Sequence, residues 1–171
     1  MTRLLIVACS RAKRPDAGSL PAIDRYDGPA FRQLRRAARV GLLGDVRIMI
    51  LSAKHGLIPE YWMISDYDQV MTAARAAELQ PSVALCLWGW FHNWSDCYDV
   101  FINVGRSYVP ALAGLEEWCV RRGIVVTQAA GGVGEPATVQ SLPVPGWAAY
   151  PVEQWLNMDW DLWSCPRAKG C

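Results

Sequence analysis

The sequence lacks the features that mark membrane and secreted proteins. No stretch reaches the roughly 18 uninterrupted apolar residues that a membrane helix needs. The opening residues, MTRLLIVACS, contain only a short apolar run, with no longer hydrophobic region and no convincing small-residue cleavage site. We therefore expect a cytoplasmic protein with no membrane partner.

Metal ligands and charged residues are also sparse. The chain has 2 histidines and 6 cysteines, and the irregular cysteine spacing includes no Cys-x-x-Cys pair. We expect neither a disulfide framework nor a metal site. The glycines of Gly131-Gly132-Val133-Gly134 lack the spacing of a dinucleotide-binding loop, so no cofactor is implied. A formal net charge of +1 is a small excess for a strong non-specific duplex binder.

What positive charge there is lies near the N terminus. Residues 1–40 carry nine basic and three acidic side chains, a local net charge of +6. Phe31, Leu34 and Ala38 form an apolar helical stripe, and four arginines turn largely away from it: Arg32, Arg35, Arg36 and Arg39. This arginine face either contacts phosphate or is simply solvated, and both interpretations stay open.

Four runs rich in Ile, Val, Leu or Met predict strands at residues 4–9, 47–53, 99–105 and 124–129. They lack clean alternation, which is typical of parallel strands buried on both faces. Apolar stripes between them predict helices. One stripe consists of Val70, Ala73, Ala74 and Ala77, and Pro81 ends or kinks that helix; a further apolar surface follows, formed by Val83, Leu87, Trp90, Phe91 and Trp94. The last stripe consists of Leu112, Leu115, Trp118 and Cys119, with Ser107 as the predicted N-cap.

This alternation predicts an α/β fold, with an open, mostly parallel sheet of about four or five strands and helices on both faces, Rossmann-like in type. We assign residues 1–142 to this ligand-binding domain and residues 143–171 to a Trp- and Pro-rich extension packed on the same domain. The tryptophans of the extension could cover the sheet, form an oligomer contact or stack on bases.

Polar or glycine-containing motifs follow each predicted strand: Cys9-Ser10-Arg11-Ala12-Lys13, Ser52-Ala53-Lys54-His55-Gly56, Gly105-Arg106-Ser107-Tyr108 and Gly131-Gly132-Val133-Gly134. The carboxyl ends of parallel strands share one edge, where ligands bind at a switch in strand order. Glycines allow close backbone approach, and the cations Lys13, Lys54 and Arg106 favour an anion. We therefore expect a phosphate-bearing small molecule or a nucleotide unit of a larger chain as the ligand.

Some of these residues also suggest acid and base chemistry. Neighbouring cations should depress the pKa of His55 and leave it available as a base, although a structural hydrogen bond is an equal alternative. Nearby carboxylates are Glu60, Asp66 and Asp68, with Glu135 in the fourth loop, and we expect Asp66 to cap a helix. A carboxylate beside a base could stabilise an oxocarbenium-like sugar. Cys9 is either a nucleophile or a buried thiol, and Tyr26 and Tyr67 either stack on a base or pack.

Three segments together resemble a known group of proteins: Cys9-Ser10-x-x-Lys13, Tyr26-Asp27-Gly28-Pro29-Ala30-Phe31-Arg32, and Leu51-Ser52-Ala53-Lys54-His55-Gly56-Leu57-Ile58 followed by Tyr67-Asp68. The chain resembles, over roughly residues 4–135, an uncharacterised family of small bacterial and phage domains related to the YaaA peroxide-stress proteins. The resemblance implies contact with nucleic acids or their bases. Archaeosine synthase has a similar Cys-Ser-x-x-Lys segment, whose lysine attacks the nitrile carbon of a modified guanine, and the matching position is Lys13.

These observations predict a nucleotide- or nucleobase-processing enzyme that acts at an N-glycosidic bond or a modified base. Its ligand is a nucleotide or modified base, alone or within single-stranded or damaged DNA. We assign catalysis to Lys13, His55 and Asp68, and ligand binding to Cys9, Ser10, Tyr26, Ser52, Lys54, Gly56, Tyr67, Gly105, Arg106, Tyr108, Gly131, Gly132 and Gly134. The alternatives are a non-catalytic DNA-binding or damage-response protein that uses the arginine face, and a phage or host protein-interaction module that uses the tail, through which an oligomer could also form.

Overall fold

The structure is a computed structural model that describes residues 2–93 and 95–129. Its centre is a five-stranded sheet formed by β1 (Thr2–Ala8), β3 (Val46–Ser52), β4 (Gly56–Pro59), β6 (Cys97–Asn103) and β7 (Val125–Gln128), in the order β4-β3-β1-β6-β7. β4 is antiparallel to β3, and the other neighbours are parallel. A separate antiparallel ribbon pairs β2 (Leu20–Pro21) with β5 (Met63–Ile64). The predicted α/β fold with a mostly parallel sheet is confirmed.

Five helices connect these strands: α1 (Ala22–Arg25), α2 (Pro29–Arg39), α3 (Ala73–Asn93), a 3₁₀ helix (Arg106–Leu112) and α4 (Leu115–Val120). In the part of the chain that the structure describes, no helix is both long and apolar enough to cross a membrane. The predicted glycine loop 131–134 and the predicted extension 143–171 lie outside the described residues, as does Trp94.

The sheet is buried on both faces, which explains why its strands lack an alternating pattern. Leu4 and Ile6 of β1 belong to one apolar cluster with Val83 of α3. Leu5 of β1 belongs to the other cluster with Phe31 of α2. All of these side chains are almost fully buried, and each contributes about 1.5–3 kcal/mol of hydrophobic stabilisation.

The four predicted strands are present, each within two residues of its predicted ends, but β4 was not predicted. Its residues Gly56-Leu57-Ile58-Pro59 follow β3 directly and form the second arm of a hairpin. A four-residue apolar segment ending in proline carries little periodicity, and its place at the sheet edge accommodates the missing proline N–H.

The prediction for the start of α3 was wrong. The helix begins at Ala73, after Thr72, whose hydroxyl accepts a hydrogen bond from the N–H of Arg75 at 3.1 Å. It buries Ala76 and Leu79, whereas the predicted stripe of Val70, Ala73, Ala74 and Ala77 is exposed. Several small residues in succession leave the register of such a stripe undetermined. Pro81 lies inside one continuous 21-residue helix, so the two predicted apolar surfaces belong to the same helix.

Two predicted caps and one predicted stripe position were also wrong. Ser107 lies inside the 3₁₀ helix, whose N-cap is Gly105, and α4 begins only after Gly114 at a φ of 85°. The carboxylate of Asp66 accepts the N–H of Tyr67 at 2.9 Å, in the loop between β5 and α3 and seven positions before the first residue of α3. In α2 the third buried position is Ala37, next to the predicted Ala38.

The strand order creates a switch point beside the central strand. From β1 the chain crosses to β3 on one side, and then returns through α3 to β6 on the other side of β1. The connections after β1 and β6 therefore diverge and leave a crevice at the carboxyl ends of these two strands. Cys9 follows β1 at this edge, and Gly105 follows β6.

Candidate ligand site at the carboxyl edge of the sheet

Three hydroxyl groups form a closed hydrogen-bonded cluster at this edge. The Ser52 and Tyr67 hydroxyl oxygens lie 2.8 Å apart, those of Tyr67 and Tyr26 lie 2.6 Å apart, and Tyr26 donates to Ser52 at 3.2 Å. Tyr26 and Ser52 are fully buried, and Tyr67 is half-buried. Because each hydroxyl has one proton, the three bonds run in one direction around the ring, from Ser52 to Tyr67 to Tyr26 and back. The cluster fixes the position of the Tyr67 ring.

The same serine stabilises the turn of the hairpin between β3 and β4. The Ser52 hydroxyl accepts the backbone N–H groups of His55 at 3.1 Å and of Lys54 at 3.3 Å. Gly56 closes the turn with a φ of 71°, where a residue with a side chain would be strained. Arg75 of α3 also holds this turn, because its guanidinium donates to the carbonyl of Ala53 at 3.0 Å. Both side chains at the tip, Lys54 and His55, are exposed.

Two lysine ammonium groups approach the ring that the hydroxyl cluster holds. The Nζ of Lys13 lies 4.3 Å from the centroid of the Tyr67 ring, and the Nζ of Lys54 lies 5.4 Å from it. Within residues 2–93 and 95–129, neither ammonium group forms an ion pair. The ring of His55 meets Tyr67 edge to face at a centroid distance of 5.2 Å. Among the described residues, no carboxylate lies within ion-pair distance of either ammonium group.

A buried arginine positions the loop that carries Lys13. Arg25 is fully buried, and its guanidinium donates to the backbone carbonyls of Arg14, Asp16 and Gly18. Lys13 itself forms an isolated antiparallel bridge with Tyr26. Sequence reasoning missed Arg25, because an arginine that binds backbone carbonyls leaves no acidic partner or motif to reveal it.

Ser10 serves the same loop. Its hydroxyl accepts the N–H of Gly28 at 3.1 Å and donates to the carbonyl of Ala12. A Cβ atom at Gly28 would lie 2.7 Å from the Cβ of Ser10, so the glycine is needed for this close approach. The Ser10 hydroxyl therefore ties the loop after β1 to the start of α2.

Cys9 and Tyr108 face each other across the crevice. The Cys9 sulfur lies 3.3 Å from the Tyr108 hydroxyl oxygen, which joins the loop after β1 to the 3₁₀ helix after β6. Burial raises the pKa of Tyr108, with the Cys9 thiol adding to the effect, and burial likewise raises the pKa of Tyr67 to about 12. Both phenols are consequently protonated at neutral pH. Because the Tyr67 proton is already donated to Tyr26, Tyr108 is the phenol that can donate a hydrogen bond to a ligand.

The remaining predicted site residues differ in exposure and in whether the structure describes them. Partial burial lowers the pKa of His55, and the nearby Lys54 charge lowers it further, so the direction is the one expected, although burial is the larger cause. Asp68 and Arg106 are exposed, and neither forms a hydrogen bond or ion pair with any described residue. Gly105 begins the 3₁₀ helix. Gly131, Gly132, Gly134 and Glu135 lie outside the described residues.

Two further features of the described residues limit the chemistry. No three His, Cys, Asp or Glu side chains among them are grouped so that they could hold a metal ion. An apolar groove of about 440 Å³ lies between α3 and the segment formed by the 3₁₀ helix and α4, where Trp88, Phe91 and Trp118 are among its lining residues. This groove has no ionisable side chain in its lining, so it cannot perform acid–base catalysis.

The predicted arginine face is smaller than its sequence suggests. Arg35 is only 16% exposed, because its guanidinium donates to the carbonyls of Ile23 and Tyr26 and pairs with Asp27 at 2.6 Å. Arg32 donates to the carbonyl of Asp27 at 3.1 Å. One of the four arginines therefore faces inward and holds α1 to α2.

Comparison with known proteins finds one family whose matched range contains the whole cluster. No curated protein and no solved structure matches the sequence. A family model, described as a family of unknown function (DUF6884), matches residues 4–118, about two thirds of the chain. The matched range includes every residue of the site from Cys9 to Tyr108, and the expectation of an uncharacterised family is confirmed. The chain belongs to DUF6884, a family of unknown function.

Proposed function

We propose that this chain is a nucleotide- or nucleobase-processing enzyme whose ligand binds in the crevice at the carboxyl ends of β1 and β6. The observation that carries the proposal is the lysine pair. Lys13 and Lys54 both lie against the Tyr67 ring, and neither has a carboxylate partner among the described residues. Two uncompensated cations at a switch point favour an anionic ligand.

An aromatic ring that two cations approach suits a nucleotide better than a bare anion. A phosphate would attract the ammonium groups, and the face of Tyr67 that they cover would become available to a base. Cys9, which follows β1, and Tyr108, which follows β6, supply further hydrogen-bonding groups at the crevice. A ligand with a phosphate at one end and a planar ring at the other uses all of these groups.

The catalytic roles follow from position and charge. His55 has a lowered pKa and is neutral at pH 7, so it can accept a proton. Asp68 follows Tyr67 directly, and its exposed carboxylate could stabilise positive charge on a sugar as an N-glycosidic bond breaks. Lys13 would hold the phosphate or act on the base, as the resemblance to archaeosine synthase and the YaaA group implies. The strand order supports a Rossmann-like mode of nucleotide binding.

The test is thermal stabilisation by a panel of nucleotides, nucleosides and modified bases, measured for the wild type, Lys13→Ala and Asp68→Ala. A ligand that binds only the folded state raises the melting temperature. Arg39→Ala is the matched control, since it also removes one exposed positive charge but lies at the end of α2. We expect a nucleotide to stabilise the wild type and Arg39→Ala, and to lose its effect on Lys13→Ala.

Two results would contradict the proposal. If no member of the panel stabilises the wild type, the crevice is not a nucleotide site. If Lys13→Ala responds like the wild type while Arg39→Ala loses the response, the arginine face binds the ligand and the non-catalytic alternative takes its place. For a ligand that passes this test, turnover by the wild type and its loss in Asp68→Ala would distinguish catalysis from binding.

A further inference from the structure

Three consecutive large apolar side chains are exposed near the site. Tyr61 is 61% exposed, Trp62 is 54% exposed and Met63 is 56% exposed. Tyr61 and Trp62 lie between β4 and β5 and Met63 is the first residue of β5; we call the three residues the aromatic platform. Contiguous exposed apolar residues in a folded chain usually mark a binding surface.

The backbone of the aromatic platform is held firmly. The N–H of Trp62 donates to the carbonyl of Pro59 at 3.0 Å, and the carbonyl of Trp62 accepts the N–H of Ala22 at 2.8 Å. Met63 pairs with Pro21 in the β2–β5 ribbon. A segment anchored on both sides presents its side chains in fixed positions, which lowers the entropy cost of binding a partner.

The aromatic platform and Tyr67, whose ring the two lysines approach, belong to one short segment of the chain. Tyr67 is four positions after Met63, so their Cα atoms lie at most about 14 Å apart. The link between them is also anchored, because Ile64 is buried opposite Leu20 and the hydroxyl oxygens of Ser65 and Ser19 lie 2.9 Å apart. A ligand longer than one nucleotide can therefore reach both.

We propose that the aromatic platform stacks on bases that flank the nucleotide in the crevice, so that the substrate is single-stranded nucleic acid. This inference rests on the proposed function. Single strands need aromatic rings for the bases and positive charge for the phosphates, and this chain carries exposed rings on the segment that leads to Tyr67, the ring that the two lysines approach. Duplex bases are paired and stacked on each other and cannot lie on a tyrosine or tryptophan ring. The uncompensated charge at Lys13 and Lys54 favours a polyanion over an apolar protein surface.

The experiment compares a mixed-sequence single-stranded 12-mer, as DNA and as RNA, with the same sequence as a duplex and with the four mononucleotides. Each stacked base contributes about 1–3 kcal/mol, so Trp62→Ala should weaken 12-mer binding by about 5- to 150-fold. Mononucleotide binding should not change, and Trp62→Phe should restore most of the affinity. Trp88→Ala is the matched control, because Trp88 is 57% exposed but lies on α3 beside the apolar groove.

The outcomes separate this inference from the proposed function. Tighter binding of the 12-mer than of any mononucleotide, lost in Trp62→Ala and kept in Trp88→Ala, supports the inference. If a mononucleotide binds through Lys13 but Trp62→Ala binds the 12-mer like the wild type, the inference is wrong and the proposed function stands. Equal binding of duplex and single strand, equal loss in Trp88→Ala, or a change only in self-association for Trp62→Ala would each overturn the inference.

Discussion

Replacing Ser52 by alanine should damage both the stability of the fold and the geometry of the site. The Ser52 hydroxyl is fully buried and meets four partners, the hydroxyls of Tyr26 and Tyr67 and the backbone N–H groups of Lys54 and His55. Alanine fits the space but has no acceptor. The two phenols keep their bond to each other at 2.6 Å, so the loss falls mainly on the two amides of the hairpin.

The magnitude follows from those two amides. A buried donor left without its partner costs about 1–3 kcal/mol. Because the tip of the hairpin is exposed, water can replace part of what is lost, and we expect Ser52→Ala to lower the free energy of unfolding by about 2–3 kcal/mol. Urea unfolding measures this as a lower midpoint at unchanged slope. Ligand affinity should fall as well, since Lys54 and Tyr67 lose their common anchor.

Ser82→Ala provides the comparison. Ser82 is exposed, and its hydroxyl donates to the carbonyl of Leu79 at 2.8 Å within α3. We expect Ser82→Ala to change the free energy of unfolding by no more than about 0.5 kcal/mol. If the two variants were equally stable, the reasoning on the Ser52 cluster would be refuted.

Two further predictions concern stability elsewhere in the fold. Asp99 is buried in β6 without a hydrogen bond of normal geometry to either carboxylate oxygen, and burial raises its pKa to about 6 against the opposing charge of Arg3. The unfolded chain then ionises first as the pH rises, so the free energy of unfolding should fall by about 2 kcal/mol between pH 4 and pH 6. Asp99→Asn should flatten this dependence in pH-resolved urea titrations, and an unchanged slope would contradict the assignment. Gly28→Ala forces its Cβ against Ser10 and should lower the free energy of unfolding by about 1–3 kcal/mol. The double variant Ser10→Gly/Gly28→Ala should be less destabilised than the sum of the single variants, and strict additivity would exclude the predicted contact.

The parallel strands could be predicted because burial on both faces requires unbroken apolar runs. Leu4 to Val7 and Ile48 to Leu51 are such runs, and both are almost fully buried. The start of α3 could not be predicted in the same way. Ala73, Ala74, Ala76 and Ala77 are similar in size and polarity, so only packing against the sheet decides that Ala76 is the one that is buried.

The members of the candidate site that follow strands could be predicted from the sequence. The position of the residue that the chain brings back from a later loop could not. Cys9, Lys13, Ser52 and Tyr108 follow or end parallel strands, and the sheet edge brings them together. The resemblance groups Tyr67 with Ser52, but no periodicity in the sequence predicts how the chain returns Tyr67 to Ser52, because the return depends on the β2–β5 ribbon, whose strands are two residues long. A ribbon this short has no detectable periodicity.

The site combines a rigid ring with movable charges, and this division bears on the ligand it can take. Tyr26 and Ser52 are fully buried and hold the Tyr67 hydroxyl in place, whereas Lys13 and Lys54 reach the ring by long side chains that can adopt other rotamers. A cation over a partly exposed ring gains only about 0.5–1 kcal/mol, which a phosphate can readily outcompete. Under the proposed function, the ring would fix the base while the ammonium groups follow the phosphate, and the same crevice would accept a free nucleotide or one within a chain.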